Sequence, residues 1–383
     1  MSIDEIPERG DACDQHTELL VAGRNARCQR ALMKLSDDEH PGAFFYNTSH
    51  VMARCDGRKS MDSQLPPQEF SRADTFTIKM QATPEQIAAL KEWSANVPTL
   101  YFLDNCVVQA TKLSEAQLEN DKSQRKAKIV EHLKSIDRPQ HGISYLFALM
   151  EKVSDTRGTA SDDELEERIL NDLKAMRAFF EHAKVYEPDE FVVQFLRELR
   201  RTPIEFQRSN YLSFLESVND NMEIREPVDP LLRFERAEKI VALALSLSIY
   251  QQHPVVTIAL ACLYGNNAAR RLLKLKENPA KFNAENVLAD VMAITRFAKL
   301  MLTVETLSRS GGKFLRTDFI TDDEGLIGVF GCFRPESMIV QEVSEGTATE
   351  FNLTVELKKL LTEIDADEYE KVFQLLDSPP ASK

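Results

Sequence analysis

Four acidic residues stand where a carboxylate is either expensive or useful. Asp104 follows the apolar, β-prone run TLYFL and precedes NCVV. An acid at the carboxyl end of a buried strand is either part of a ligand site or a cap for the next turn. Glu151 closes the largely apolar helical run ISYLFALME, so its carboxylate emerges at the rim of a core. Asp290 lies among Val287, Leu288, Val291 and Ile294 on an apolar helix, where an unpaired charge is costly to bury and needs a partner. Arg296 on the same helix, or Arg270 across a helix pair, would make that partner an ordinary salt bridge. Asp323 belongs to a cluster with Asp318, Asp322 and Glu324 after the β-prone run KFLRTDFIT; repulsion there requires water, Lys or Arg, or a cation. Carboxylates from two strand ends and two buried helices supply the all-oxygen, incomplete coordination that Mg2+ or Mn2+ takes. A cation so held activates water and stabilises the leaving oxygen during in-line attack at phosphorus.

The elements that must position these acids are readable from periodicity and punctuation. Thr83 caps a helix opened by Pro84 and Glu85, with Ile87, Leu90 and Trp93 at helical spacing. YFLDNCVV reads as a buried strand. Helical periodicity runs from Ser114 to about Ser135, and ISYLFALMEKVSD reads as a second, buried helix. Ser161 or Asp162 caps a long helix, and Pro188, Pro203 and Pro230 open three more, so the stretch from about 160 to 250 is expected to be helical without a strand. HPVVTIALACLYG is expected as a buried helix, and ENVLADVMAITRFAKLMLTVETLS as the longest helix, ended by Gly311 and Gly312. KFLRTDFI and FRPESMIV are strand candidates, and a C-terminal helix should run from about Val355 to Leu376 with Glu363, Asp365, Asp367, Glu368 and Glu370. Residues 1–75 are polar and read as an irregular N-terminal arm. The organisation expected is therefore that arm, an α/β domain over 76–350 with a mainly helical insertion at about 160–250, and an acidic C-terminal helix and tail over 351–383.

Composition narrows the function classes. With 47 Lys and Arg against 61 Asp and Glu, the net charge of −14 repels polyanions at long range and argues against a protein that coats nucleic acid. It leaves room for catalysis on nucleic acid through a local basic patch, and metal-holding carboxylates add to the negative total. The six cysteines are scattered with no CxxC pair, and the seven histidines show no HxxxH or HExxH spacing, so a zinc hydrolase has no support. There is no GxxxxGK[ST] loop, no GxGxxG after a strand and no GxSxG elbow. An acid-bearing N-terminus without an apolar run, and no apolar stretch of spanning length, predict a cytoplasmic protein with no membrane partner.

The order of a strand ending in Asp (YFLDNCVV), a helix ending in Glu (SYLFALMEK), a helical acid (NVLADVMAI) and a strand leading to Thr-x-Asp (FITDDEGL) resembles the PIN-like nucleases over about residues 97 to 345. The resemblance implies a three-layer α/β/α sandwich with a central, mostly parallel sheet, here carrying a large helical insertion. It implies a Mg2+- or Mn2+-dependent nuclease acting on RNA in preference to DNA. Carried over, the metal-binding acids are Asp104, Glu151, Asp290 and Asp323, with Asp322 or Asp318 competing for the last position and Glu181 or Glu187 for the second. Asn105, the polar residue after the strand acid, also fits the pattern.

For substrate contact, Arg270, Arg271 and Lys274, followed by Lys276 and Lys281, form a basic run between the two late helices, and Arg197, Arg200, Arg201 and Arg208 form another. Such runs are also what a solvated helix face pairing with acids looks like. The rival class is a non-catalytic helical interaction or regulatory protein, a degenerate PIN-like domain included, in which the acids are structural. A second copy of the chain or a regulatory protein is compatible with either class as a partner.

Overall fold

Thr99–Leu103 is apolar in alternate directions as well as along its length, and forms strand β1 with every residue buried. Leu100 and Phe102 enter one apolar cluster, Tyr101 and Leu103 another, so both faces of this strand are covered. The structure, a computed structural model, describes residues 83–154, 161–201, 205, 207–343 and 346–377. The expected arm over 1–75 lies outside the described residues. The helix Pro84–Ala95 forms as its caps dictate, with Thr83 and Gln86 exchanging side-chain bonds to each other's main chain. It belongs to a different compact unit from Pro98–Lys383.

Within that second unit, β1 is central to a parallel sheet of order β3-β2-β1-β4, with β2 at Gly142–Ser144, β3 at Lys184–Val185 and β4 at Arg316–Ile320. The class is thus mixed α/β. β1 and β4 are in register from Thr99↔Arg316 to Leu103↔Ile320, so Asp104 and Thr321 leave the sheet side by side. The chain moves from β1 toward β2 and β3 and later returns to β4 on the opposite side. That reversal opens a crevice at the carboxyl ends of β1 and β4, where open α/β sheets bind ligands.

Several sequence expectations need correction. YFLDNCVV is strand only to Leu103, and Asn105–Ala110 is helix; the helix expected from Ser114 to about Ser135 is two, Glu115–Glu119 and Arg125–Ser135. Ile143 and Ser144 are strand, not helix, and the helix begins only at Leu146; an apolar run buried on all sides carries no periodicity to separate the two. The stretch at 160–250 contains β3, which is two residues long and held by its neighbour β2, too short to leave an alternating pattern. The helices of this stretch pack on both faces of the sheet. Helices Asp162–Phe179 and Asp189–Arg201 bury Ile169, Leu173, Met176, Val192 and Leu196 with Tyr101 and Leu103. Phe214, Val218, Ile240 and Ala244, from the helices Arg208–Asn221 and Pro230–Ser246, join the cluster of Leu100 and Phe102. Finally, Val355 ends a strand. β5 (Phe333–Val343) and β6 (Gly346–Val355) form an antiparallel hairpin, after which come two helices, Leu357–Leu360 and Ala366–Asp377. Leu360, Leu361, Val372 and Leu376 are buried in the main core, and Arg233 donates to the carbonyl and the carboxylate of Glu363, each at 2.7 Å, so the acidic C-terminal segment is docked on its own chain.

The helix Ala284–Arg309 buries Val287, Leu288, Val291, Ile294 and Phe297, as its pattern predicts, and Pro254–Leu263 is buried at every position. Two short helices, Asn267–Leu273 and Glu324–Phe330, meet at glycines. A Cβ on Gly325 would lie 2.7 Å from the Leu272 nitrogen and 3.0 Å from the Ala268 oxygen, and one on Gly328 would lie 2.4 Å from the Ala268 Cβ. Because the obstacle at Gly325 is backbone, Gly325→Ala is expected to push the helices apart and destabilise the fold by about 1–3 kcal/mol, the usual cost of overpacking. Urea melts of the variant read this directly, and an unchanged midpoint would contradict it. No helix among the described residues is long and apolar enough to cross a membrane.

Candidate functional site

The crevice at the ends of β1 and β4 is built from side chains that each divide their bonding between the fold and the opening. Asp104 donates its N–H to the Ile320 carbonyl at 3.0 Å, which ties the two strand ends together. Its Oδ1 accepts the Asn105 N–H at 2.8 Å, capping the helix Asn105–Ala110. Its Oδ2 accepts the Thr321 hydroxyl at 2.5 Å and the Cys106 thiol at 3.3 Å. Thr321 Oγ1 in turn accepts the Asp323 N–H at 3.1 Å. Asp323 repeats the pattern of Asp104, with Oδ1 capping its own helix through the Leu326 N–H at 2.9 Å and Oδ2 3.1 Å from the Lys274 ammonium. The cap reading and the site reading of these strand-end acids therefore hold together, on different oxygens.

Lys274 terminates the helix Asn267–Leu273 with φ 50°, the left-handed conformation common just past a helix end. Its ammonium donates to Asp290 Oδ2 at 2.7 Å, an oxygen that also accepts the Asn286 amide at 3.1 Å. The partner that Asp290 needs is thus Lys274. Arg296 is engaged by Glu205 through its Nε at 2.9 Å, and Arg270 lies against Cys262 and Asn267. Burial raises the Asp290 carboxyl to about 6 against the pull of Lys274, and Asp323 and Asp104 push it further up. Glu151 is raised to about 8, first by burial, then by Asp104, with which it shares a hydrogen bond, and by Asp290; the Asn105 amide opposes this shift by bonding it.

Asp104, Glu151, Asp290 and Asp323, far apart in the chain, therefore lie within one another's fields. The competing acids have other partners. Asp322 turns to Arg125, 3.0 Å from its guanidinium. Asp318 sits in mid-strand opposite Tyr101, near Arg316 and His132. Glu187 is buried and closed by the Ser144 hydroxyl at 2.5 Å and the Tyr145 N–H at 3.0 Å, and the Glu181 N–H donates to Asp137. Of the basic run, Lys274 is inside the acid cluster, Arg271 pairs with Glu324 at its margin, and Arg270 is turned away from it.

The donor set has the oxygen chemistry that a hard cation takes. As they stand, no three His, Cys, Asp or Glu side chains among the described residues are gathered so as to hold a metal ion. A cation of another kind is in place instead, the Lys274 ammonium between Asp290 and Asp323. Sequence reasoning missed Thr321 as the link between two acids, Cys106 beside Asp104, and Arg125 as the residue that withdraws Asp322. The TDD triplet contained the first; nothing local marks Arg125, which comes from a distant helix.

A pH effect follows. A carboxyl raised in the folded state contributes stability that is complete below its unfolded value and is lost as the pH rises through its folded value. For Glu151 that window runs from about 4.5 to about 8, so in chelator the protein is expected to be less stable at pH 9 than at pH 5.5, and Glu151→Gln to flatten the difference. Urea midpoints at the two pH values test it; parallel profiles for wild type and variant would mean that the Glu151 carboxyl is not raised in the folded protein.

Comparison with protein families, with curated proteins and with solved structures finds no match for this chain.

Proposed function

We propose that the chain is a divalent-metal-dependent nuclease of PIN-like type that hydrolyses phosphodiester bonds, in RNA before DNA. The observation that carries the reading is the meeting of Asp104, Glu151, Asp290 and Asp323 at the point where the strand order reverses, close enough that Asp104 and Asp290 help to raise the Glu151 carboxyl and Asp323 and Asp104 the Asp290 carboxyl. The layering of helices on both faces of the sheet supports an α/β/α sandwich of that type. Mg2+ or Mn2+ would be held by Asp104 and Glu151, with Asp290 and Asp323 completing the acidic wall; when bound it supplies an acidified water and charge stabilisation at phosphorus. The chain's own groups do the positioning. Thr321 orients Asp104 through its hydroxyl, Asn105 holds Glu151, and Glu151 is a carboxyl able to exchange a proton near neutral pH. Arg271, paired with Glu324 at the margin, offers a guanidinium to a substrate phosphate. The free thiols of Cys106, Cys262 and Cys332 agree with a cytoplasmic location.

The test is incubation of wild type and Asp104→Asn with labelled single-stranded RNA, tRNA and DNA in Mg2+, Mn2+ or chelator. Metal-dependent cleavage by wild type, lost in the variant, is expected. No cleavage of any substrate under any of these conditions would favour the interaction-protein reading, in which the Lys274 ammonium is the permanent occupant of the cluster.

A further inference from the structure

We infer that Asp172 is a positioning residue of the acid site, tying the helix that Asp104 heads to the helix that carries Glu151. The inference rests on the nuclease reading above for the roles of those two acids. Asp172 belongs to the helix Asp162–Phe179, and its side chain is 1% exposed. Its Oδ1 accepts the Lys112 ammonium; its Oδ2 accepts the Lys152 ammonium at 2.8 Å and the Tyr145 hydroxyl at 2.7 Å. Lys112 follows the helix Asn105–Ala110 closely, Tyr145 precedes the helix Leu146–Ser154, and Lys152 lies in the last turn of that helix. The three donors thus come from the two elements that hold Asp104 and Glu151, and they meet on a third.

Each contact fixes something the site uses. Glu151 and Lys152 stand about 100° apart around their helix, so holding Lys152 against Asp172 sets the rotation of that helix and the bearing of the Glu151 carboxyl. The helix Asn105–Ala110 has 6 residues, too few to persist without anchors. Asp104 caps its start, and Lys112, drawn to Asp172, holds its end. The Lys112 ammonium also donates to Gln109 Oε1 at 3.2 Å, and Gln109 Nε2 to Asn105 Oδ1 at 3.4 Å. With its oxygen so engaged, Asn105 turns its NH2 toward Glu151. An exposed ion pair would yield to water at little cost, whereas a buried carboxylate between two ammonium groups does not.

The experiment measures kcat and KM on labelled single-stranded RNA with Mn2+, together with urea midpoints, for full-length wild type, Lys112→Met and Lys112→Arg. Lys112→Met cuts the link to the Asp104 helix but leaves Asp172 its bonds from Lys152 and Tyr145, so the fold is retained. Its kcat is expected to fall about tenfold with KM within about twofold of wild type, the mark of misplaced groups rather than lost binding, and Lys112→Arg to restore most of the rate. A raised KM at unchanged kcat would make Lys112 a contact for the RNA and overturn the inference, as would wild-type constants in Lys112→Met. Tyr145→Phe, which leaves both ammonium groups on Asp172, weakens the link from the other side. It is expected to lower kcat several-fold and decides the matter if Lys112→Met fails to fold; a wild-type kcat there would overturn the inference. No cleavage by wild type would overturn the nuclease reading and the inference with it, whereas an active wild type with unaltered variants overturns the inference alone.

Discussion

Asp104→Asn is expected to lower metal-dependent cleavage by about three orders of magnitude while leaving the fold intact. The substitution keeps the shape of the side chain and an oxygen able to cap Asn105, since Asn caps helices about as well as Asp. It removes one negative charge from the pair with Glu151, so repulsion within the metal-free cluster falls. What it takes away is an anionic ligand at the reversal point, and metal-ion stabilisation of transition-state charge is worth several kcal/mol, with each 1.36 kcal/mol a factor of about ten in rate. Rates on labelled RNA, together with melting curves in chelator, separate the two effects. A variant that cleaves at the wild-type rate would remove Asp104 from the chemistry, and one that melts well below wild type in chelator would make its role structural.

The second large effect is on stability. Glu205→Ala is expected to destabilise the fold by about 3–5 kcal/mol, the cost of stranding a buried charge whose partner has been deleted. The Glu205 side chain is 3% exposed and that of Arg296 8%; Arg296 donates to Glu205, and Arg208 lies 3.5 Å away on the other side. Deletion strands the Arg296 guanidinium, while Arg208 keeps the Ser154 carbonyl at 3.0 Å and Glu285 at 3.9 Å. Arg296 lies on the helix that carries Asp290, so the same loss should loosen the acid site. Lys239→Ala provides the contrast, because its pair with Glu235 is about 60% exposed on both sides and such pairs contribute about 0–1 kcal/mol. Equal midpoints for the Glu205 variant and wild type would mean that Arg296 and Arg208 find water or other acceptors.

The parts of this protein that its sequence makes legible are those with a local cause. The capping pair Thr83 and Gln86, the apolar face around Asp290 and the glycine stop at Gly311 all write a helix boundary or a buried face into consecutive residues. Asp104 and Asp323 are visible for the same reason, since an acid must mark the point where an apolar strand gives way to a helix cap. Elements whose cause is tertiary are not legible. β2 exists because β1 offers it a partner and β3 because β2 does, and the segment after Val355 is divided by its docking around Arg233 and Tyr264. The site follows the same division. Its acids are readable one at a time, but the choice of Lys274 over Arg296 for Asp290, and of Arg125 as the partner that removes Asp322, depends on which helices lie side by side.

The most direct measurement of the central claim is the thermal midpoint of metal-stripped protein titrated with Mn2+, wild type beside Asp104→Asn. Binding to the folded state alone stabilises by mass action, by about 2.7 kcal/mol at a hundredfold excess over the dissociation constant. The midpoint of wild type should rise with Mn2+ concentration and that of Asp104→Asn should stay level. A wild-type midpoint indifferent to Mn2+, or an equal rise in both proteins, would mean that the four acids at the end of β1 and β4 do not bind a metal together.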